Sequence, residues 1–121
     1  MKKIAIIEDE PALSEMMQMM LDRSGYQTVV CDNGREAMDF LEREMPDLVM
    51  LDVMLPGMDG SEIAKNMSAH PSLSTTPIIV VSALEESGSL FRGITQVREF
   101  CPKPFTVNNL VSAVKRVLGD Q

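Results

Sequence analysis

Three short apolar runs stand out along the chain: Ile4-Ala5-Ile6-Ile7, Leu48-Val49-Met50-Leu51 and Ile78-Ile79-Val80-Val81. Each is bounded by polar residues or proline. A half-exposed strand would alternate apolar and polar side chains, so continuous runs of this length predict strands buried on both faces. Thr28-Val29-Val30-Cys31 predicts a less apolar fourth strand, and Val97 to Cys101 a weaker fifth.

Between the runs the apolar period becomes helical. Pro11 suits a first helical position. Leu13, Met17, Met20 and Leu21 share one face, and Gly25 is a stop signal. Asp32-Asn33-Gly34 opens a second helix carrying Ala37, Phe40 and Leu41, and Asp59-Gly60-Ser61 a third with Ile63, Ala64 and Met67. Thr106 is a fitting N-cap for the last, where Leu110, Val111, Val114, Val117 and Leu118 recur at helical spacing. Glu85 to Gln96 predicts the poorest helix and the segment fastest in hydrogen exchange, because Ser87-Gly88-Ser89 and Gly93 weaken it. Five strands alternating with five helices imply an α/β fold with a parallel sheet covered on both faces. In such sheets the site lies beyond the carboxyl ends of the strands.

The length of 121 residues fits one domain, 1–121. Hydrophobic residues at 45% and charged residues at 24% are the balance of an ordinary globular chain, not a disordered one. No apolar run is long enough to span a bilayer. Glu8-Asp9-Glu10 ends the first run before a secretion signal could form, so a cytoplasmic location away from membranes is expected. The net charge of −7, from 18 acids against 11 bases, speaks against direct nucleic-acid binding and suits a cation site. Cys31 and Cys101 lack a C-x-x-C spacing and read as small buried hydrophobes, and the 11 methionines as core filler.

Polar groups stand at four strand ends. Glu8-Asp9-Glu10 follows the first strand, Asp52 the third and Ser82 the fourth, and Lys103 follows the fifth. Carboxylates brought together repel unless a cation binds among them. Mg²⁺ suits a carboxylate-and-water site that leaves room for a phosphate oxygen. Lys103 and Ser82 could then bind an anion held by that metal, with Asp52 as a ligand or a nucleophile. Glu10 reads as a cap or surface acid, and His70, the only histidine, as a loop residue without a phosphorelay role.

Ile6-Ile7-Glu8-Asp9-Glu10, the run Asp47-Leu48-Val49-Met50-Leu51-Asp52-Val53-Met54-Leu55-Pro56-Gly57-Met58-Asp59-Gly60, then Pro77-Ile78-Ile79-Val80-Val81-Ser82-Ala83, and Lys103-Pro104-Phe105, resemble the receiver domain of bacterial two-component response regulators. The resemblance covers essentially the whole chain. It implies a flavodoxin-like, doubly wound (βα)5 fold with strand order 2-1-3-4-5. It implies a phosphoacceptor switch in a phosphorelay, with Asp52 taking a phosphoryl group from a phosphohistidine on a sensor histidine kinase or phosphotransfer protein. Mg²⁺, with Mn²⁺ as the alternative, would be held by Asp9, Asp52 and the Met54 backbone carbonyl, with Glu8 acting largely through water. Lys103 and Ser82 would bind phosphoryl oxygens. Phe100 would be the aromatic that turns inward on activation, and the Lys103–Pro104 bond would be cis. Activation would alter the face around the fourth predicted helix, the fifth strand and the last helix, to control an effector protein. No turnover of an outside substrate is expected. With only Gly119-Asp120-Gln121 after the last helix, no output domain is expected in this chain.

Two features depart from the family pattern. Thr95-Gln96-Val97-Arg98-Glu99 replaces the usual turn before the last strand, and the interval from Ser82 to Lys103 is a residue short. Pro102 stands where a small polar residue is common. Three other readings fit less well. A haloacid-dehalogenase-type hydrolase needs an aspartate two positions after its nucleophile, where this chain has Met54. A flavin-binding module would have its phosphate repelled by Glu8-Asp9-Glu10. A receiver that serves only for docking would not need Asp9, Asp52, Ser82 and Lys103 together. In relatives, the residues two after the phosphoacceptor and two after the hydroxyl flank the approach of water. Met54 and Leu84 stand there and cannot orient one, which predicts slow self-dephosphorylation.

Overall fold

The computed structural model describes residues 1–82 and 90–120. Five parallel strands, β1 (Lys3–Ile7), β2 (Gln27–Cys31), β3 (Leu48–Asp52), β4 (Ile78–Ser82) and β5 (Val97–Pro102), form one sheet in the order β2-β1-β3-β4-β5. Among the described residues four helices accompany it: α1 (Pro11–Arg23), α2 (Ala37–Glu44), α3 (Gly60–Ala69) and α4 (Val107–Leu118).

The continuous apolar runs have the double burial their pattern predicts. Ile4, Ile6, Leu48, Met50, Ile79 and Val81 point to one face, where Met17 and Leu21 of α1 and Leu110 and Val114 of α4 cover them. Their alternates Ala5, Ile7, Val49, Leu51, Ile78 and Val80 meet Phe40 and Leu41 of α2 and Ile63 and Met67 of α3 on the other face. Every central side chain is thus removed from water, about 25 cal/mol for each Å² of apolar surface. Cys31 and Cys101 are buried free thiols.

The helix starts follow local chemistry. Asp59 accepts a hydrogen bond from the Glu62 N–H (3.1 Å) and caps α3, and Thr106 accepts one from the Asn109 N–H (3.1 Å) and caps α4. The second helix begins later than Asp32-Asn33-Gly34 suggests. Asn33 Oδ1 takes the Glu36 N–H (2.9 Å) and holds a turn, and α2 starts at Ala37.

The expectation for Glu85 to Gln96 needs correcting where it can be read. Leu84 and the part from Glu85 to Ser89 lie outside the described residues. From Phe91 to Gln96 the chain forms turns, not a helix. Gly93 has a φ of 84°, which no helix accommodates. Phe91 and Gln96 are buried, so this part is anchored. Gln96 Nε2 donates to the carbonyls of Leu73 (2.8 Å) and Thr76 (2.7 Å), and its Oε1 accepts from Ser68 Oγ (2.7 Å). One side chain therefore satisfies the turn ahead of β4 and ties it to the start of β5.

That role predicts a large penalty for Gln96→Leu. The buried Thr76 carbonyl loses its donor, at about 1–3 kcal/mol, and the Leu73 carbonyl keeps only the Thr76 N–H (3.1 Å). Urea unfolding should show a loss of roughly 1–3 kcal/mol. A variant as stable as wild type would show that water replaces the amide.

Candidate functional site

The carboxyl ends of β1, β3, β4 and β5 share one edge of the sheet because the strands are parallel and in register. Ile7 pairs with Leu51, Asp52 with Val81, and Ser82 with Pro102. The core runs stop there, and the first polar residue beyond each faces its neighbours.

Glu8 follows β1 directly and remains buried, its N–H donating to the Cys31 carbonyl (3.0 Å). Its Oε2 accepts the Glu10 N–H (3.1 Å). Asp52 ends β3 and is also buried, while Asp9 is more open to solvent. Carboxylate oxygens of Glu8, Asp9 and Asp52 lie within 4.8 Å of one another. Lys103 reaches in from the segment after β5. Its Nζ stands 3.1 Å from Glu8 Oε1 and 3.5 Å from Asp52 Oδ1. Its own N–H donates to the Ser82 carbonyl (2.9 Å), and the Lys103–Pro104 bond is cis.

The electrostatics are unbalanced. Burial pushes the Glu8 carboxyl above its usual value, and the nearby Asp52 charge pushes the same way. Burial likewise raises Asp52, opposed by Lys103 and by hydrogen bonds from the Met54 and Val53 amides. For Lys103, burial works against the charge, but the Glu8 hydrogen bond and the charges of Asp52 and Glu8 outweigh it and hold the ammonium above its ordinary value. Among the described residues, one lysine thus serves two buried acids and forms no ion pair with Asp9. A small divalent cation fits this donor set: hard oxygens only, close enough to share an ion, with an open side at Asp9 for water or a further ligand.

The other expected residues divide. Ser82 is buried at the end of β4 on the same edge. The Met54 side chain is 67% exposed, although its amide turns back to Asp52. Phe100 on β5 is half-exposed, its ring edge against buried Phe91 at 6.1 Å and 71°. It therefore stands in an outward position. Glu10 is exposed, and His70 pairs with Glu42 (3.0 Å) beyond the C-terminal end of α3. The sequence places Gly57 and Gly60 beside the site for their backbone freedom; Gly57 does take a φ of 91°, whereas Gly60 has no positive φ and is needed for a close approach instead. The Gly60 N–H donates to the Val53 carbonyl (2.8 Å), and a Cβ there would overlap the Asp52 carbonyl oxygen.

A family model for the response regulator receiver domain matches residues 4–115. The chain belongs to that family. It is 36% identical over 117 residues to the phosphate regulon transcriptional regulatory protein PhoB of Rhizobium meliloti, covering 96% of this chain and 52% of that protein. It is 31% identical to the polar-differentiation response regulator DivK of Brucella anthropi, covering 98% of each. The chain spans about half the length of the PhoB-type relatives it matches. Among solved structures, the response regulator TrrA of Thermotoga maritima, in complex with Mg²⁺ and BeF, superposes with a TM-score of 0.87 at 30% identity over 98% of this chain and 100% of that one. The receiver fold with strand order 2-1-3-4-5 is therefore shared with proteins that hold a metal. No helix among the described residues is long and apolar enough to cross a membrane.

Crowded, buried acids cost stability when no cation is bound. Asp52→Asn keeps the shape and removes one charge. In metal-free buffer it should raise the melting temperature by a few degrees, the scale of ~1 kcal/mol in a domain this size. An unchanged or lower melting temperature would mean that Lys103 already compensates both acids.

Proposed function

We propose that the chain is a phosphoacceptor switch in which Asp52 takes a phosphoryl group from the phosphohistidine of a sensor histidine kinase or phosphotransfer protein. The convergence of Glu8, Asp9, Asp52 and Lys103 on one strand edge supports this reading best. Glu8, Asp9 and Asp52 would hold Mg²⁺ or Mn²⁺, together with the Met54 carbonyl. A divalent ion there would supply positive charge to the transferring phosphoryl oxygens.

The chain's own residues do the rest. An Asp52 carboxylate oxygen attacks phosphorus in line. The new O–P bond forms as the N–P bond breaks, and its electron pair returns to the imidazole nitrogen. Lys103, already pointed at Asp52, neutralises charge on a phosphoryl oxygen without having to reorganise. The Val53 and Met54 amides hold the attacking carboxylate in place. Ser82 offers a hydroxyl to a second oxygen once the group has arrived. Phe100 then turns inward, changing the face around β5 and α4 that an effector reads. Turnover of an outside phosphoester is not part of this function, because Met54 supplies no acid for a leaving group. The site of action on this reading is the cytoplasm.

Acetyl phosphate with Mg²⁺, followed by intact mass, is the direct experiment. Wild type should gain one phosphoryl group, and neither Asp52→Asn nor metal-stripped protein should gain any. Asp9→Ala should weaken Mg²⁺ binding at least about tenfold by calorimetry. Equal labelling of Asp52→Asn would place the phosphoacceptor elsewhere, and unchanged affinity in Asp9→Ala would refute the ligand set.

The phosphorylated state should also be long-lived. Met54 cannot hydrogen-bond a water in line with the Asp52–phosphorus bond, and neither can a leucine at position 84. In a paired decay measurement, Met54→Asn with Leu84→Glu should lose phosphate several-fold faster, since placing a nucleophile is worth about 1 kcal/mol or more. Decay no faster than wild type would show that something else limits water.

A further inference from the structure

The loop between β3 and α3 carries everything that follows Asp52, and it is gripped from outside by a different loop. Between β2 and α2, the Gly34 N–H donates to the Pro56 carbonyl (2.8 Å). The Gly34 Cα lies so close to Met58 that a Cβ would overlap the Met58 carbonyl oxygen and come within 2.7 Å of its nitrogen and 2.8 Å of its carbonyl carbon. The fit is reciprocal. Gly57, at a φ of 91°, presents its open side to Arg35, whose backbone nitrogen and Cβ would each lie 3.1 Å from an added Cβ. Two loops distant in sequence thus interlock backbone to backbone.

The outer loop is the stiffer partner. Cys31 Sγ donates to the Asn33 carbonyl (3.3 Å), Asn33 Oδ1 accepts the Glu36 N–H (2.9 Å), and the Ala37 N–H donates to the Gly34 carbonyl (3.3 Å). Asn33 Nδ2 also donates to Glu36 Oε2 (2.9 Å). The far end of the inner loop is fixed as well, by the Asp59 cap and the Gly60–Val53 hydrogen bond. A side chain at position 34 would therefore displace the stretch between Val53 and Met58, and Met54 lies within it.

We propose that Gly34 is a positioning residue for the cation and phosphoryl site: the β2–α2 loop braces the β3–α3 loop, and so sets where Met54 and the Asp52 strand end stand. This rests on the receiver reading and adds to it a residue on an element outside the acidic cluster. Gly34 touches neither metal nor phosphate. It acts through Met58 and Pro56.

Gly25 gives a matched control. It has a φ of 94°, lies in the α1–β2 turn, and has nothing within 4 Å of an added Cβ. Gly25→Ala costs stability through backbone strain alone. The experiment measures melting temperature, Mg²⁺ affinity by calorimetry, amide resonances of the metal-free protein and labelling by acetyl phosphate. For Gly34→Ala, Mg²⁺ affinity should fall about tenfold or more, labelling should slow, and the Met54 to Gly57 amides should shift. Gly25→Ala should melt earlier yet keep its Mg²⁺ affinity within about twofold and those amides unmoved. Wild-type affinity and unmoved amides in Gly34→Ala would overturn the brace, and so would an equal loss of affinity in Gly25→Ala. If Gly34→Ala fails to fold, Gly57→Ala carries the comparison. It shares the φ of Gly25 and adds only the Arg35 contact, so unchanged affinity there would overturn the proposal. Wild type that binds Mg²⁺ but takes no phosphate would sink the phosphoacceptor reading and leave the affinity ratio to decide the brace. If wild type binds no Mg²⁺, the metal-free amide shifts decide it.

Discussion

One ammonium set among three carboxylates is the constraint on which the rest depends. Glu8 and Asp52 are buried, and Lys103 bridges them at 3.1 and 3.5 Å. Burying an acid costs free energy unless its charge is balanced, and a single lysine brings one positive charge to two buried acids. The sheet has to be rigid enough to hold the acids together in spite of this. Its doubly buried strands supply that rigidity: Ile4 to Ile7, Leu48 to Leu51 and Ile78 to Val81 are almost wholly removed from water. The apolar runs therefore do more than fill a core. They fix the spacing of charges that would separate if they were free to.

The same strain explains how the loops beyond the edge are built. Glu8 after β1 and Val53 after β3 are buried, and loops at this edge are closed by short backbone contacts. The Gly60 N–H closes on Val53, the Lys103 N–H closes on Ser82, and Gly34 closes on Pro56. Two of these three positions are glycines whose Cβ would strike backbone, Gly60 against Asp52 and Gly34 against Met58. Side-chain chemistry and backbone packing are thus set by one edge of the sheet.

Much of this was legible beforehand, for reasons that differ by element. The buried strands were readable because double burial leaves a continuous apolar run, which few other local structures produce. Helix starts at Asp59 and Thr106 were readable because a cap is chemistry local to three or four residues. The acidic cluster was readable because parallel topology brings the ends of successive strands to one edge, so sequence order alone says which residues meet. What failed depended on distant partners. Gly93 already weakened the helix expected up to Gln96, but nothing local showed that Gln96 is held by Leu73, Thr76 and Ser68, more than a strand away. No local pattern encodes those bonds. The Gly34–Met58 approach was hidden for the same reason: a glycine in a turn looks alike whether its open side faces solvent or another backbone.

The charge balance also bears on how a switch could work here. On the proposed reading, phosphorylation replaces the single charge of the Asp52 carboxylate with a phosphoryl group of nearly two, a net gain of about one negative charge at an edge where, among the described residues, one lysine serves three acids. The strands cannot answer by moving apart, because their ladders and both buried faces oppose it. Among the described residues, the groups that would respond on this reading are the Ser82 hydroxyl, the Lys103 ammonium and whatever is packed on the segments that carry them. Phe100 sits on β5 three residues before Lys103, half-exposed and resting edge-on against buried Phe91. An edge contact between two rings is worth only about 0.5–1.5 kcal/mol beyond its burial, little against a phosphoryl group newly placed at a buried edge. On that reading, the rearrangement among the described residues that costs least is one of that aromatic pair, and the rigidity that crowds the acids would direct the response to it.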